Sequence, residues 1–545
     1  MTSTVCPMPL IPAKEMTATV KLLLAIIEPQ QVTIQQLEER VTQLEAEVAR
    51  LKKLPPKPKI KPSTMNNSDK HQKPATGTSG KKKRPGSNKR HKRTEIHRSV
   101  IVQPDDLPAG SRLLGYQDYV VQDLLIRPFN TRYRLARYKS PEGHQLIGQL
   151  PAHLKGTHFG PTLQSYILYQ YHHQRVTQPL ILQQMREWHV DLSSGQINRL
   201  ITENKDRYHE EKQQLLAAGL AHASYLHVDD TGARHGGKNG YCTHIGNEQF
   251  AYFESTDSKS RVNFLRVLSG MNKDYMINPA ALDYMKKQDL PADPLKRLSK
   301  GVVPSSQKGE DSRQFADAEC WSSYLQEIGL SNTRHVRIAT EAALIGSLIH
   351  HGFPSELVIV SDDAGQFNVF RHALCWYHAE RVFQRILPVN DLGAKARHWV
   401  ISQLWAMYQD LKAYQLNPTE TAKQVLEDRF DAICQTKTQY QILNLALQRF
   451  ADNKSELLLV LDEPTIPLTN NLSERDIREY VIKRKISGST RSAMGRKCRD
   501  SFASLKKTCK KQGISFWDYL MDRTSLTNQI PRLSELIVGQ AESVP

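Results

Sequence analysis

Ser224-Tyr-Leu-His-Val-Asp-Asp230 and Leu357-Val-Ile-Val-Ser-Asp-Asp363 are two short apolar runs, each closing on a pair of acids. Runs of this length read as buried strands. A carboxylate at the carboxyl end of such a strand is held rigidly at the sheet's edge, where hard cations and substrates have access. A third acid, Glu474, lies in Asn470-Asn-Leu-Ser-Glu-Arg-Asp-Ile-Arg478, a segment with helical character. Two strand carboxylates and a helical glutamate can build a two-metal phosphoryl-transfer centre. Magnesium suits it, because that ion takes oxygen ligands octahedrally and keeps waters that phosphate oxygens can replace. Side chains alternate faces along a strand, so one acid of each pair points inward if the strand persists. The first of each, Asp229 and Asp362, is assigned to the site; the alternative for either pair alone is turn chemistry.

Around these acids the chain resembles transposases of the insertion-sequence-66 family. Asn470-Asn-Leu-Ser-Glu-Arg-Asp-Ile-Arg478 is similar to that family's Asn-Asn-x-x-Glu-Arg-x-x-Arg segment, and Cys375-Trp-Tyr-His-Ala-Glu-Arg381 to its Cys-Trp-x-His-x-x-Arg segment. Val228-Asp-Asp-Thr231 resembles its Asp-Glu-Thr. The likeness runs in order from about residue 150 onward. It implies a ribonuclease-H-like catalytic domain with an Asp-Asp-Glu triad of Asp229, Asp362 and Glu474. It also implies two Mg2+ or Mn2+ ions held by these acids, and double-stranded DNA, as element ends and target, for substrate. Accessory proteins encoded by the same element are possible partners. Many relatives carry a cysteine-rich zinc ribbon near residues 99–155; this chain has no cysteine between Cys6 and Cys242, so a metal-free remnant is expected there. Cys375 and His378 lack a second Cys/His pair for tetrahedral zinc. They are read as structural groups near the site, with His378 orienting it or meeting DNA.

The net charge of +18 over 545 residues is concentrated in one place. Between Lys52 and Arg93 fifteen Lys and Arg face the single Asp69, among prolines, glycines and serines. Such a segment cannot build a core. It reads as a phosphate-binding arm, with Lys81, Lys82, Lys83 and Arg84 its densest cluster, against the plainer reading of a solvated linker. Seven dispersed cysteines with no Cys-x-x-Cys pair point to a reducing cytoplasm rather than a disulfide scaffold. No apolar stretch reaches membrane length and the N-terminus lacks the basic start of a cleavable signal. A cytoplasmic, nucleoid-associated protein with no membrane partner is expected.

The expected fold class is a multidomain α/β chain. Residues 1–53 carry Ile34, Leu37, Val41, Leu44, Val48 and Leu51 at 3,4 spacing, the seam of a short parallel coiled coil that would make a homo-oligomer. Residues 54–98 form the basic linker and 99–155 a small β-rich region, with strands at 119–126 and 131–138 and a turn at Pro141-Glu-Gly143. Residues 156–222 read as a helical DNA-binding region. Within it Pro179–Trp188 and Ser193–Thr202 form a helix-turn-helix in which Ser193 caps the second helix, and Gln196, Asn198 and Arg199 can reach base edges. The catalytic domain spans 223–515, with a hairpin at Gly246-Asn247 and insertions at about 270–340 and 390–460. Helical tail residues 516–545 follow. After Glu474 the basic residues Arg475, Arg478, Lys483, Arg484 and Lys485, with those up to Lys511, read as a track along the DNA backbone.

The function expected is metal-dependent cleavage and strand transfer at the terminal inverted repeats of a mobile element. A structure-selective nuclease without strand transfer, or a non-catalytic DNA-binding regulator, is the alternative.

Overall fold

The computed structural model describes residues 95–106, 111–300, 312–388 and 390–542. The proposed coiled coil and the basic arm, with Lys81, Lys82, Lys83 and Arg84, lie outside them.

The β-rich reading of residues 99–155 is corrected. Among the described residues there, only β1 (Arg137–Lys139) and β2 (Gln145–Ile147) pair, antiparallel, across a tight turn in which Gly143 takes φ 90° and donates its N–H to Ser140. Residues 119–126 form no strand. Tyr119, Val121, Leu124 and Leu125 are each at least three-quarters exposed, and an apolar run with nothing to pack on has no burial to offset the entropy of ordering.

Helices α1 (Pro161–Leu168), α2 (Gln178–Glu187), α3 (Ser194–Thr202) and α4 (Asp206–His222) follow, with a π-helical stretch at Tyr169–His173. Ile167, Ile181, Met185, Leu192, Ile197 and Ile201 give the first three a small core of their own. Ser193 caps α3 as the sequence indicates: its Oγ accepts from Gln196 N–H and the Gln196 side chain accepts from Ser193 N–H. This reciprocal box satisfies two donors that a helix start leaves orphaned.

The central sheet has five strands in the order β5-β4-β3-β8-β9. Strands β3 (Tyr225–Gly232), β4 (Tyr241–Gly246) and β5 (Ala251–Thr256) form an antiparallel meander; β8 (Val358–Ser361) and β9 (Arg371–Leu374) add in parallel beside β3. Asn247 closes the β4–β5 turn by accepting the N–H groups of Gln249 and Phe250 through its side chain. The hairpin falls where Gly246-Asn247 marks it. Leu226, Val228 and Ile359 bury one face of the sheet in the main core. Val358, Val360 and Ala373 bury the other, with Ile466.

Between the meander and β8 the chain forms α5 (Arg261–Ser269), β6 (Tyr275–Ile277), α6 (Pro279–Lys287), α7 (Ala292–Ser299), β7 (Arg313–Phe315), α8 (Ala318–Glu327) and α9 (Thr333–His350). The stretch read as a polar interruption therefore has its own antiparallel strand pair and feeds Tyr275, Ile277, Trp321 and Tyr324 into the main core. After β9 come α10 (Trp376–Arg385), α11 (Asp391–Leu416), α12 (Glu420–Cys434), α13 (Gln441–Asp452) and the short α14 (Lys454–Leu457). The chain then returns to the sheet through α15 (Asn471–Ser487) and α16 (Ala493–Lys511), and ends in α17 (Phe516–Ser525) and α18 (Leu533–Glu542).

Helix α16 covers the outer edge of β5. Asp500, Ser504 and Thr508 accept the backbone N–H groups of Ser255, Phe253 and Ala251 at 2.8, 2.9 and 3.1 Å. Four helical residues rise about 6 Å and two strand residues about 6.8 Å, so acceptors at every fourth helical position meet donors at every second strand position. An edge that would otherwise template aggregation is thereby closed.

Candidate active site

Asp229 lies within β3, not at its end, because that strand continues to Gly232. Alternation therefore holds and the two acids part. Asp230 accepts from Thr243 Oγ1 at 2.5 Å and Gln366 Nε2 at 3.1 Å. Asp229 shares its face with His227, which is hydrogen-bonded to Asn470 of the segment leading into α15. On the neighbouring strand His227 pairs with Val360, so continuing the register by two residues sets Asp229 beside Asp362. Adjacent strands are about 4.8 Å apart. Asp363 instead points outward and is ion-paired with Arg449.

Helix α15 brings the third acid. The Asn470 side chain donates to Val228 O at 2.8 Å and meets His227 Nδ1 at 3.0 Å, and its backbone N–H donates to Cys375 Sγ at 3.2 Å. One turn on, Ser473 Oγ meets His244 Nδ1 at 2.6 Å. These contacts clamp the start of α15 across β3 and β4. Glu474, beside that clamped face, is 3.4 Å from His378 Nε2 and 3.5 Å from Arg381 Nη1, both on α10.

The electrostatics agree with a crowded acidic site. Burial, then the charge of Asp362, push the Asp229 carboxyl up to about 7, and Glu474 adds to the rise. Asp362 Oδ1 is buried without a hydrogen-bond partner. His378 is held below the usual imidazole value by burial and by Arg381, against the opposing pull of Glu474 and Asp362. Burial pushes the Cys375 thiol up to about 11, which suits a hydrogen-bond acceptor rather than a thiolate ligand.

The three acids are thus brought to one end of the sheet. Among the described residues, however, no three His, Cys, Asp or Glu side chains form a group that could hold a metal as they stand. Glu474 is engaged instead with His378 and Arg381 on α10.

A model described as "Transposase IS66 family" matches residues 347–497. A Sinorhizobium fredii (strain NBRC 101917 / NGR234) protein, "Uncharacterized protein y4jO", is 42% identical over 330 residues, covering 60% of this chain and all of that one. The chain belongs to the IS66 transposase family. No solved structure matches it. The IS66 match takes in Asp362, Cys375, His378, Arg381 and Glu474; Asp229 lies outside it and is placed by the sheet.

The remaining residues of interest divide by exposure. Asn198 and Arg199 on α3, and Arg475, Arg478 and Lys485 on α15, are exposed. Gln196 is half-buried and its side-chain oxygen is engaged in the cap. Two expected members of the basic track are not on the exposed surface. Lys483 is buried and donates to Tyr171 O at 2.8 Å, while Arg484 turns inward onto Thr231 and the Gly232 carbonyl. Lys506 and Lys507 are also buried, against Glu479. Helical periodicity turns these positions inward, and acids or carbonyls of neighbouring elements receive the charge.

Residue-type reasoning missed the roles of Asn470 and Arg381, although both stand in the quoted motifs. The available signal for Asn470 was its place one helical turn before Glu474.

Proposed function

We propose that this IS66-family chain is an Asp-Asp-Glu DNA transposase that cleaves and joins strands at the terminal inverted repeats of its element. Its catalytic domain would be ribonuclease-H-like. The order of the sheet supports this, an antiparallel meander followed by two parallel strands on the meander's first strand. The observation that carries the proposal is the placement of Asp229 beside Asp362 with the Glu474 helix fastened across the same strand.

The donor set suits a hard divalent cation, since Asp362 offers a buried carboxylate oxygen without a partner and Asp229 is strained by a like charge. Asp229, Asp362 and Glu474 would hold Mg2+ or Mn2+, with Glu474 rotating away from Arg381. Bound there, a metal pair lowers the pKa of the attacking water or 3′ hydroxyl and stabilises the leaving oxygen. The protein's own part is positional: Asn470 fixes the helix, and His378 and Arg381 hold Glu474 in reserve. Exposed Arg475 and Arg478 are placed to meet phosphates, and Asn198 and Arg199 to read bases if α3 enters a major groove. Self-association through residues 34–51 belongs to the same reading.

Glu474→Gln tests it, because the change keeps shape and removes charge. Magnesium-dependent cleavage of end-containing DNA is expected to disappear while DNA binding persists or tightens, as repulsion of phosphate falls. A variant that still cuts removes Glu474 from the triad. Cleavage by the parent without joining of ends would favour a nuclease instead.

A further inference from the structure

On the face of α15 opposite Glu474, a cleft runs between α15, α16 and the π-helical stretch. Its cations outnumber its acids. Arg499 is only 7% exposed, and its Nε and Nη2 are buried with no hydrogen-bond partner. Its guanidinium lies over the Tyr480 ring, 4.7 Å from the centre. Lys483 is 8% exposed; its ammonium meets the Tyr171 carbonyl and, at 3.7 Å, the Tyr171 ring. Burial and then the charges of Arg499, Lys506 and Arg175 push that ammonium down to about 7. His172 adds a further buried nitrogen, Nε2, without a partner. Arg175 is held at φ 66°, in the left-handed region.

The two acids of the cleft are already engaged. Glu479 takes Lys506 at 2.6 Å and Lys507 at 2.8 Å, and Asp476 takes Lys511 at 2.6 Å. Arg175, Lys483 and Arg499 are left with no ion pair among the described residues. A buried cation without a counter-ion is strongly disfavoured, and removal of one partner of a buried pair is costly for the same reason. A fold that gathers two such cations, Lys483 and Arg499, around a cleft with half-buried Arg175 beside them is completed by an anion that enters it. The planar fork of a guanidinium and the point charge of an ammonium together match a tetrahedral oxyanion with several acceptors.

We infer that this cleft is a phosphate-oxyanion site, with Arg499 and Lys483 as its main ligands and Arg175 beside them. It is separate from the three carboxylates and does not rest on their catalytic role. The oxyanion is either a backbone phosphodiester of bound DNA or free phosphate.

The test uses the full chain. Thermal unfolding in inorganic phosphate is compared with chloride at matched ionic strength, and duplex-oligonucleotide affinity is followed against salt. Phosphate is expected to raise the parent's Tm by mass action. Arg499→Met is expected to lose that rise and, having shed an unpaired buried charge, to unfold no earlier than the parent in chloride. Lys483→Met supplies the same comparison should the first variant fold poorly. A log–log salt slope reduced by about 0.9 in the variants identifies the ligand as a DNA phosphate. An unchanged slope with a lost Tm response identifies free phosphate. The site is overturned if phosphate leaves the parent's Tm unmoved and the slopes coincide, or if both variants keep the full phosphate response.

Discussion

Asn470 uses its amide on the strand rather than on its own helix. Its Nδ2 donates to Val228 O, its Oδ1 faces His227, and no side-chain cap closes the start of α15. The residue is 1% exposed, so truncation strands buried partners rather than exchanging them for water. Asn470→Ala is expected to cost about 1–3 kcal/mol, the range for leaving buried hydrogen-bonding groups unpaired, as read by urea unfolding. It should also lower cleavage more than DNA binding, because it loosens the placement of Glu474 without touching exposed Arg475 or Arg478. A loss below 0.5 kcal/mol, taken with the roughly ±0.5 kcal/mol typical of surface changes, would show that the clamp lies elsewhere. The same residue-scale logic explains Lys483: a basic run is only a chemical inventory until the helix phase decides which members reach water.

Two helices pack closely on strand backbones elsewhere in the fold. Helix α16 seals β5 through Asp500, Ser504 and Thr508. Helix α9 packs on β6 and delivers the chain to β8, and its closest approach is at Gly346. A Cβ there would lie 2.2 Å from the Met276 carbonyl oxygen and 2.9 Å from Asn278 Oδ1. Asn278 also caps α6 and donates to Gly346 O at 2.9 Å. The neighbour that must give way is backbone, so Gly346→Ala should displace α9 and destabilise the chain by about 3 kcal/mol, the upper part of the usual overpacking range. Denaturant titration measures this, and a variant within error of the parent would contradict the tight approach. At Gly219, by contrast, a Cβ would meet the buried Phe250 ring at 2.3 Å, a side chain rather than backbone.

For the whole molecule, charge is divided between two kinds of place. Much of the +18 lies between Lys52 and Arg93, outside the described residues, whereas several C-terminal lysines are internal and paired. Under the proposed function, the arm supplies a sequence-independent share of DNA affinity. Deleting Lys52 to Arg93 should weaken binding to end-containing and unrelated duplexes alike. It should also flatten the salt dependence by about 0.9 in log–log slope for each phosphate that is no longer neutralised. Equal slopes before and after deletion would leave the segment as a spacer.

The sequence by itself determined the strands that end near the acids, the hairpin at Asn247, the Ser193 cap and the family, because each rests on local chemistry: apolar period, turn residues, a capping box, a spaced motif. Strand alternation is likewise a local rule, and it put Asp229 and Asp230 on opposite faces of β3. What only the tertiary structure decided was long-range. The register of β3 against β8 set Asp229 beside Asp362. Asn470 tied α15 to a strand more than 240 residues earlier, and Arg381 and His378 turned Glu474 aside. The inward phase of Lys483, Arg484, Lys506 and Lys507, the absence of a strand at 119–126 and the unpaired Arg499 were equally hidden. Each depends on which distant surface a side chain meets, and burial, unlike propensity, is a property of the assembled chain.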